Sequence, residues 1–307
     1  MFEKVKIITY ISKTKKKFGI PNFFLQLKLL TMKKYTTILF SLIAFYCSAQ
    51  FPEEYLNQPA NLKPVINLDN SIMQCVYQHT TYDPDLDRYE DIYEILEIGN
   101  NYSKYGSYGA YQVDSVLLTY KGATLTNGDY VLLAKKYDPD HECIIKNMKD
   151  ESLEHYGIVF IDHYIYQEPM PRIEWTLEEG EAIICGHTCY KATATFRGRQ
   201  WTAWYSDIPV DNGPWKLGNL PGLILKAEDS TGEHIFEAIM LKQDKTTIGY
   251  RQFLYSRTTR QKYNKSQQEY KNEAHKFFFG ELQPKNPDGT PMNIPKRKLF
   301  YNPLEKE

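Results

Sequence analysis

The chain has 307 residues, 42% of them hydrophobic and 24% charged, with 25 tyrosines among the aromatics. That composition excludes a disordered chain, and a mean hydropathy of -0.53 excludes a polytopic membrane protein. Nine Lys against one acid give residues 1–49 a charge of +8 and leave -9 on the other 258, so the acidic body offers no cationic surface to nucleic acid.

Residues 32–49 read as an export signal. Met32-Lys33-Lys34 supplies the positive start, and 37–46 supplies an apolar run too short to span a bilayer. Cys47-Ser48-Ala49 places small residues for cleavage after Ala49. Residues 1–31 then stand upstream of the signal as a non-native extension. Bulky Tyr46 before Cys47 argues against lipidation. The mature product is expected in the periplasm, at the outer membrane or outside the cell.

Residues 50–307 read as one β-rich domain. Pro52, Pro59 and Pro64 make 50–70 an extended arm. The β pattern begins over 72–80, and the acidic run 83–87 predicts a turn. Its spacing to Glu94 imitates a calcium loop, but Arg88 stands where that loop needs glycine. Residues 91–98 predict a strand, and 100–111 a loop broken at Gly106 and Gly109. Residues 113–120 fit a short helix or a strand. Both 130–134 and 157–167 read as β, the latter with Ile158, Phe160, Asp162, Tyr164 and Tyr166 on one face.

The strongest patterning lies between 175 and 241. Residues 182–195 alternate small and large side chains, Arg197-Gly198-Arg199 turns, and 201–206 returns with Trp201, Ala203 and Tyr205 opposite Trp204. Asp211-Asn212-Gly213-Pro214 is a turn, and Pro221-Gly222 fits a type II turn with positive φ at the glycine. Strands are predicted at 223–227 and 234–241, around a turn at 230–232. This meander predicts a mainly β, α+β fold: a curved antiparallel sheet with one or two flanking helices. One amphipathic helix is predicted over 261–279, and five prolines make 283–307 an extended tail.

Cleavage leaves Cys75, Cys143, Cys185 and Cys189, enough for up to two disulfides in any of three pairings. Cys185, His187 and Cys189 alternate along 185–189 and carry the donors of a zinc or copper site. On a flat strand, however, alternate Cβ atoms stand ~7 Å apart, too wide for one metal, so disulfides or buried thiols are preferred and no cofactor is expected.

Three segments carry a family resemblance. Arg199-Gln200-Trp201-Thr202-Ala203-Trp204-Tyr205 and Ile208-Pro209 lead to Gly213-Pro214-Trp215-Lys216, then Asn219-Leu220-Pro221-Gly222-Leu223-Ile224-Leu225. Cys189-Tyr190-Lys191-Ala192 and Asn302-Pro303-Leu304-Glu305 lie outside this stretch. Together they resemble the GLPGLI family of secreted bacterial envelope proteins. Asn219 stands where the family has glycine. The resemblance implies export and a β-rich fold; it implies no activity.

Two functions are compatible with these residues. In the first, the chain is a non-enzymatic binding or transport-accessory module beside outer-membrane transport proteins. Arg199, Trp201, Trp204, Trp215 and Lys216 would then be its ligand-binding candidates, although the preferred reading has the tryptophans filling the sheet core and Arg199 and Lys216 pairing with Asp207 or Asp211, while Gly213, Pro214, Leu220, Pro221, Gly222 and Leu223 set turns and packing. In the second, it is a secreted hydrolase or a thiol- or metal-dependent enzyme. That enzyme would use His187 with Cys185 and Cys189, or acids such as Asp162 and Glu174. No HExxH, GxSxG, phosphate-loop or dinucleotide signature is present, so the first reading is preferred.

Overall fold

The computed structural model describes residues 51–120, 124–279, 289–290 and 298–306. The export signal, its cleavage site, the upstream extension and part of the Pro-rich tail lie outside these residues. The chain divides into two units, Met1–Asn57 and Gln58–Glu307. In the first, the described part is one helical turn, α1 (Glu53–Leu56), entered through Pro52.

The second unit is built on a large open sheet, with thirteen strands among the described residues: β1 (Val65–Asp83), β2 (Arg88–Gly99), β3 (Tyr102–Ser107), β4 (Cys143–Asn147), β5 (Ser152–Val159), β6 (Asp162–Pro169), β7 (Thr176–Ile184), β8 (His187–Phe196), β9 (Arg199–Ser206), β10 (Ile224–Asp229), β11 (His234–Lys242), β12 (Thr247–Arg251) and β13 (Tyr255–Arg257). Their order is β13-β6-β5-β4-β3-β2-β1-β11-β10-β9-β8-β7, with β12 beside the start of β1. The predicted antiparallel β fold is present, with one addition: β13 pairs with β6 in parallel, so the sheet is mixed.

The acidic turn after Asp83, the Arg197–Gly198 turn and the turn before His234 fall where the sequence places them. Asp83 accepts the backbone N–H groups of Asp85 and Leu86, which spends its carboxylate on the turn.

Four expectations are corrected. Most of the predicted loop at 100–111 is β3 followed by α2 (Tyr108–Leu117), started by Ser107, whose Oγ accepts Ala110 N–H. The predicted strand at 130–134 lies inside α3 (Asn127–Tyr137). A reciprocal Thr126–Asp129 capping box outweighs the strand preference of Tyr130 and Val131 there. Residues 157–167 reverse at Phe160, which is left-handed at φ 59, so the supposed single face is split between β5 and β6. The arm is short: β1 already begins at Val65 and pairs with β12. Among the described residues of this unit four helices accompany the sheet, where one or two are expected, and the single helix predicted over 261–279 is divided at Glu273 into α4 (Arg260–Asn272) and α5 (Ala274–Phe279). None among the described residues is long and apolar enough to cross a membrane.

The sheet curls around its core. Tyr105 on β3 and Phe236 on β11 are three strand places apart, ~14 Å on a flat sheet, yet their ring centroids lie 6.5 Å apart. The segment between β9 and β10 fills this curl: Trp215, Leu217, Leu220 and Leu223 are all buried. It is tied to β3 and to the segment before β7, with Asn212 donating to Ser103 Oγ at 2.8 Å, Trp175 Nε1 to Gly218 O at 2.8 Å, and Ile173 N to Asn219 Oδ1 at 2.7 Å. At the far edge, β7 pairs only with β8 among the described residues and is exposed along nearly all its length, with Glu178, Glu179 and Glu181 along it.

Candidate functional site

The residues singled out by motif converge, but on the interior. Trp201 is 1% exposed and Trp215 5%, and their rings pack at 5.9 Å. Trp204 is half-buried on the opposite face of β9. Arg199 is fully buried: Nη1 donates to Asp229 at 2.6 Å and to Glu233 at 2.8 Å. Lys216 is equally buried, with Nζ donating to Glu168 at 2.5 Å, Glu305 at 2.6 Å and the Tyr166 hydroxyl at 3.1 Å. Internal partners thus occupy both cations.

The turn residues act by sterics. Gly213, Pro214, Leu220 and Leu223 are buried. The type II turn expected at Pro221–Gly222 is not formed, because Gly222 does not take positive φ; a Cβ there would stand 1.7 Å from Ser206 O. The left-handed residue is Asn219, at φ 65, where the resembling family carries glycine; asparagine tolerates that region.

The cysteines remain free thiols, so the expected disulfides are not formed. Cys75 on β1 and Cys189 on β8 are buried four strand places apart. Cys143 lies in a separate cluster with Ile145 and Tyr156. Burial pushes these three thiols up, to about 12, 11 and 11 for Cys75, Cys143 and Cys189. Cys185 is exposed and, with Gly186, forms the left-handed turn between β7 and β8. His187 Nδ1 lies 3.9 Å from Asp207 Oδ1. Among the described residues no three His, Cys, Asp or Glu are placed to hold a metal ion. Asp162 and Glu174 are exposed and join no such cluster.

A different set of residues surrounds open space. A cavity of about 460 Å³ lies between β2–β6 and α4. Its rings include Tyr105, Tyr166, Tyr263 and Tyr270. Gly157 lets α4 settle on β5, since a Cβ there would stand 2.4 Å from the Tyr263 ring. Glu142, just before β4, accepts from Tyr263 Oη at 2.6 Å, Ile158 N at 2.7 Å and Gln267 Nε2 at 3.2 Å. Desolvation, with the Asp140 charge behind it, nevertheless pushes Glu142 up to about 7. His155 stacks on Tyr166 at 4.8 Å, and neither ring nitrogen has a partner; desolvation holds it down at about 3, hence neutral.

Glu94, Asp140 and Glu142 also wall a neighbouring space of about 490 Å³. There Tyr105 Oη donates to Glu94 Oε2 at 2.5 Å, and His79 Nδ1 lies 2.9 Å from the same oxygen without hydrogen-bond alignment. His79 Nε2 is 3.1 Å from Nδ1 of buried His234, which desolvation lowers to about 3. A third cavity, about 410 Å³ and edged by Tyr111, Leu117 and Val65, adjoins α2. The first two combine rings with converging titratable groups, the pattern of a ligand site. Glu94, Glu142, Tyr263 and Gln267 come from three remote segments, and no spacing announces them. The amphipathic pattern of 261–279 was the one available signal, and it places Tyr263 inward.

No family model matches the chain, and no curated protein matches it. Among solved structures it is similar to PNGF-II in two crystal forms. For the C2 form the identity is 15% and the TM-score 0.45, covering 66% of this chain and 34% of that one. For the P21 form they are 15% and 0.43, covering 65% and 33%. The chain thus spans about a third of the length of the solved structures it matches.

Proposed function

We propose that this chain is an exported envelope protein of the GLPGLI type that holds a small ligand in the cavity between its sheet and α4, as a binding or transport-accessory module beside outer-membrane transport. The carrying observation is the cavity itself: about 460 Å³, ring-lined, with few polar groups converging on it. The export pattern at 32–49 and the motif segments support the compartment. Native mass spectrometry of the chain recovered from the cell envelope tests this reading. The expected result is a discrete bound mass on a chain beginning at Gln50, lost in Tyr270→Ala. A ligand-free chain, or adducts indifferent to Tyr270, would sink it.

A second reading, secreted hydrolysis, is favoured by one observation. Glu142 keeps a proton to about 7 in the same cavity as the carboxylates Glu94 and Asp140, as a general acid requires. Turnover of any ester, amide or glycoside that is abolished in Glu142→Gln while ligand retention persists would decide for it.

A further inference from the structure

Residues 302–306 are held as a bound peptide is held. Buried Arg199 uses the donors left over from Asp229 and Glu233 on this segment: Nη2 donates to Asn302 Oδ1 at 2.8 Å and Pro303 O at 2.6 Å, and Nε to Leu304 O at 3.1 Å. The Asn302 amide in turn donates to Tyr82 O at 3.2 Å. Leu304 packs against the main core. Glu305 receives Lys216 Nζ at 2.6 Å, Arg260 Nη1 at 2.7 Å and Asn264 Nδ2 at 3.2 Å. Lys306 N donates to Arg197 O at 3.0 Å, and its ammonium lies 3.1 Å from Glu233. Side chain, carbonyl, apolar body and carboxylate are thus read in succession by β1, β9, the segment after β9, and α4.

Two properties make this a recognition site and not only a surface contact. Arg199 and Lys216 are 3% and 2% exposed; without an occupant Arg199 Nε and Nη2 would lose their acceptors and Lys216 and Arg260 would lose Glu305, although Asp229, Glu233 and Glu168 stay in place. The occupant carries Pro303, whose fixed φ reduces the entropy lost on docking.

We propose that the Arg199–Lys216–Arg260 cradle is a peptide-binding site specific for an Asn-Pro-aliphatic-acidic segment, filled in cis by residues 302–306 and able to take the same segment in trans. The cradle borders the cavity, since Pro303, Leu304 and Glu305 also line it; peptide titration reads the cradle and ligand retention reads the cavity, so failure of one is told apart from failure of the other. Cis occupancy acts as a millimolar local competitor, so the native chain takes the trans peptide poorly.

The test titrates fluorescein-labelled Tyr-Asn-Pro-Leu-Glu-Lys into the full chain and into its Glu305→Lys variant, which turns the cis segment against Lys216 and Arg260. The expected result is saturable anisotropy with the variant and at least ~100-fold weaker binding to the native chain. Peptides with Ala for the Asn, or Gln for the Glu, should bind the variant at least ~10-fold more weakly. A folded Glu305→Lys chain that ignores the peptide up to ~1 mM, or binds the altered peptides equally, overturns the site. Should circular dichroism find Glu305→Lys unfolded, Leu304→Ala carries the same expectations with a smaller ratio, and its indifference overturns the site equally.

Discussion

The motif half of the sheet and the cavity half solve opposite problems. Around β8–β10 and the segment between β9 and β10, buried polar groups are matched: Arg199, Lys216 and Asn212 each have defined acceptors or donors. Around β2–β6 and α4, the groups beside open space are poorly matched: His155 has no hydrogen-bond partner, and Glu142 stays protonated towards neutrality despite three donors. Conspicuous sequence has here been spent on closing a core, while the space suited to a ligand is lined by ordinary-looking tyrosines and carboxylates.

Breaking the motif half should cost most. Arg199→Met strands the buried carboxylate of Asp229 and should lower unfolding free energy by about 3–5 kcal/mol in urea titrations. Gly222→Ala must displace the Ser206 carbonyl and should cost about 3 kcal/mol by the same measurement.

The two halves can also be told apart by pH. Lys146, held by Asn212 Oδ1 and Leu217 O, is lowered by burial from 10.5 to about 7. Between these values the unfolded chain binds the extra proton, so stability should rise with pH above 7, on the order of 2–3 kcal/mol, and Lys146→Met should abolish the rise. Glu142 has the opposite sign: raised from 4.5 to about 7, it makes the folded chain the better proton binder. Stability should therefore fall between pH 4.5 and 7, on the order of 1–2 kcal/mol after solvent screening, and Glu142→Gln should flatten that limb. The smallest effect belongs to the exposed turn. Cys185→Ser should shift stability by less than about 0.5 kcal/mol, while thiol labelling followed by mass mapping loses its fastest site among the described cysteines.

What the sequence made legible follows the same division. Turns at 83–87, 197–198 and 230–232 could be read because Asp and Gly supply conformations few other residues accept. The hairpin Cys185–Gly186 was missed because alternation on either side imitates one continuous strand. Helices α2 and α3 were hidden by tyrosines and glycines, although Ser107 and the Thr126–Asp129 pair carried the local start signals. Trp201, Trp215 and Arg199 were visible as unusual residues, but burial, which decides between ligand and core, is a property of the curl. Residues 302–306 were predicted as a loose extended tail; their docking depends on Arg199, about a hundred positions away, which no local pattern reports.

Among the described residues one flank of β7 is unaccompanied. Its unused backbone donors and acceptors are a template on which another strand can grow, and Glu178, Glu179 and Glu181 are what keep incoming copies off. Lys191 and Thr193 keep Glu178 ionised below the ordinary carboxylate range. Storage in acid, rather than heat, is the condition under which otherwise intact molecules would begin to stack flank to flank.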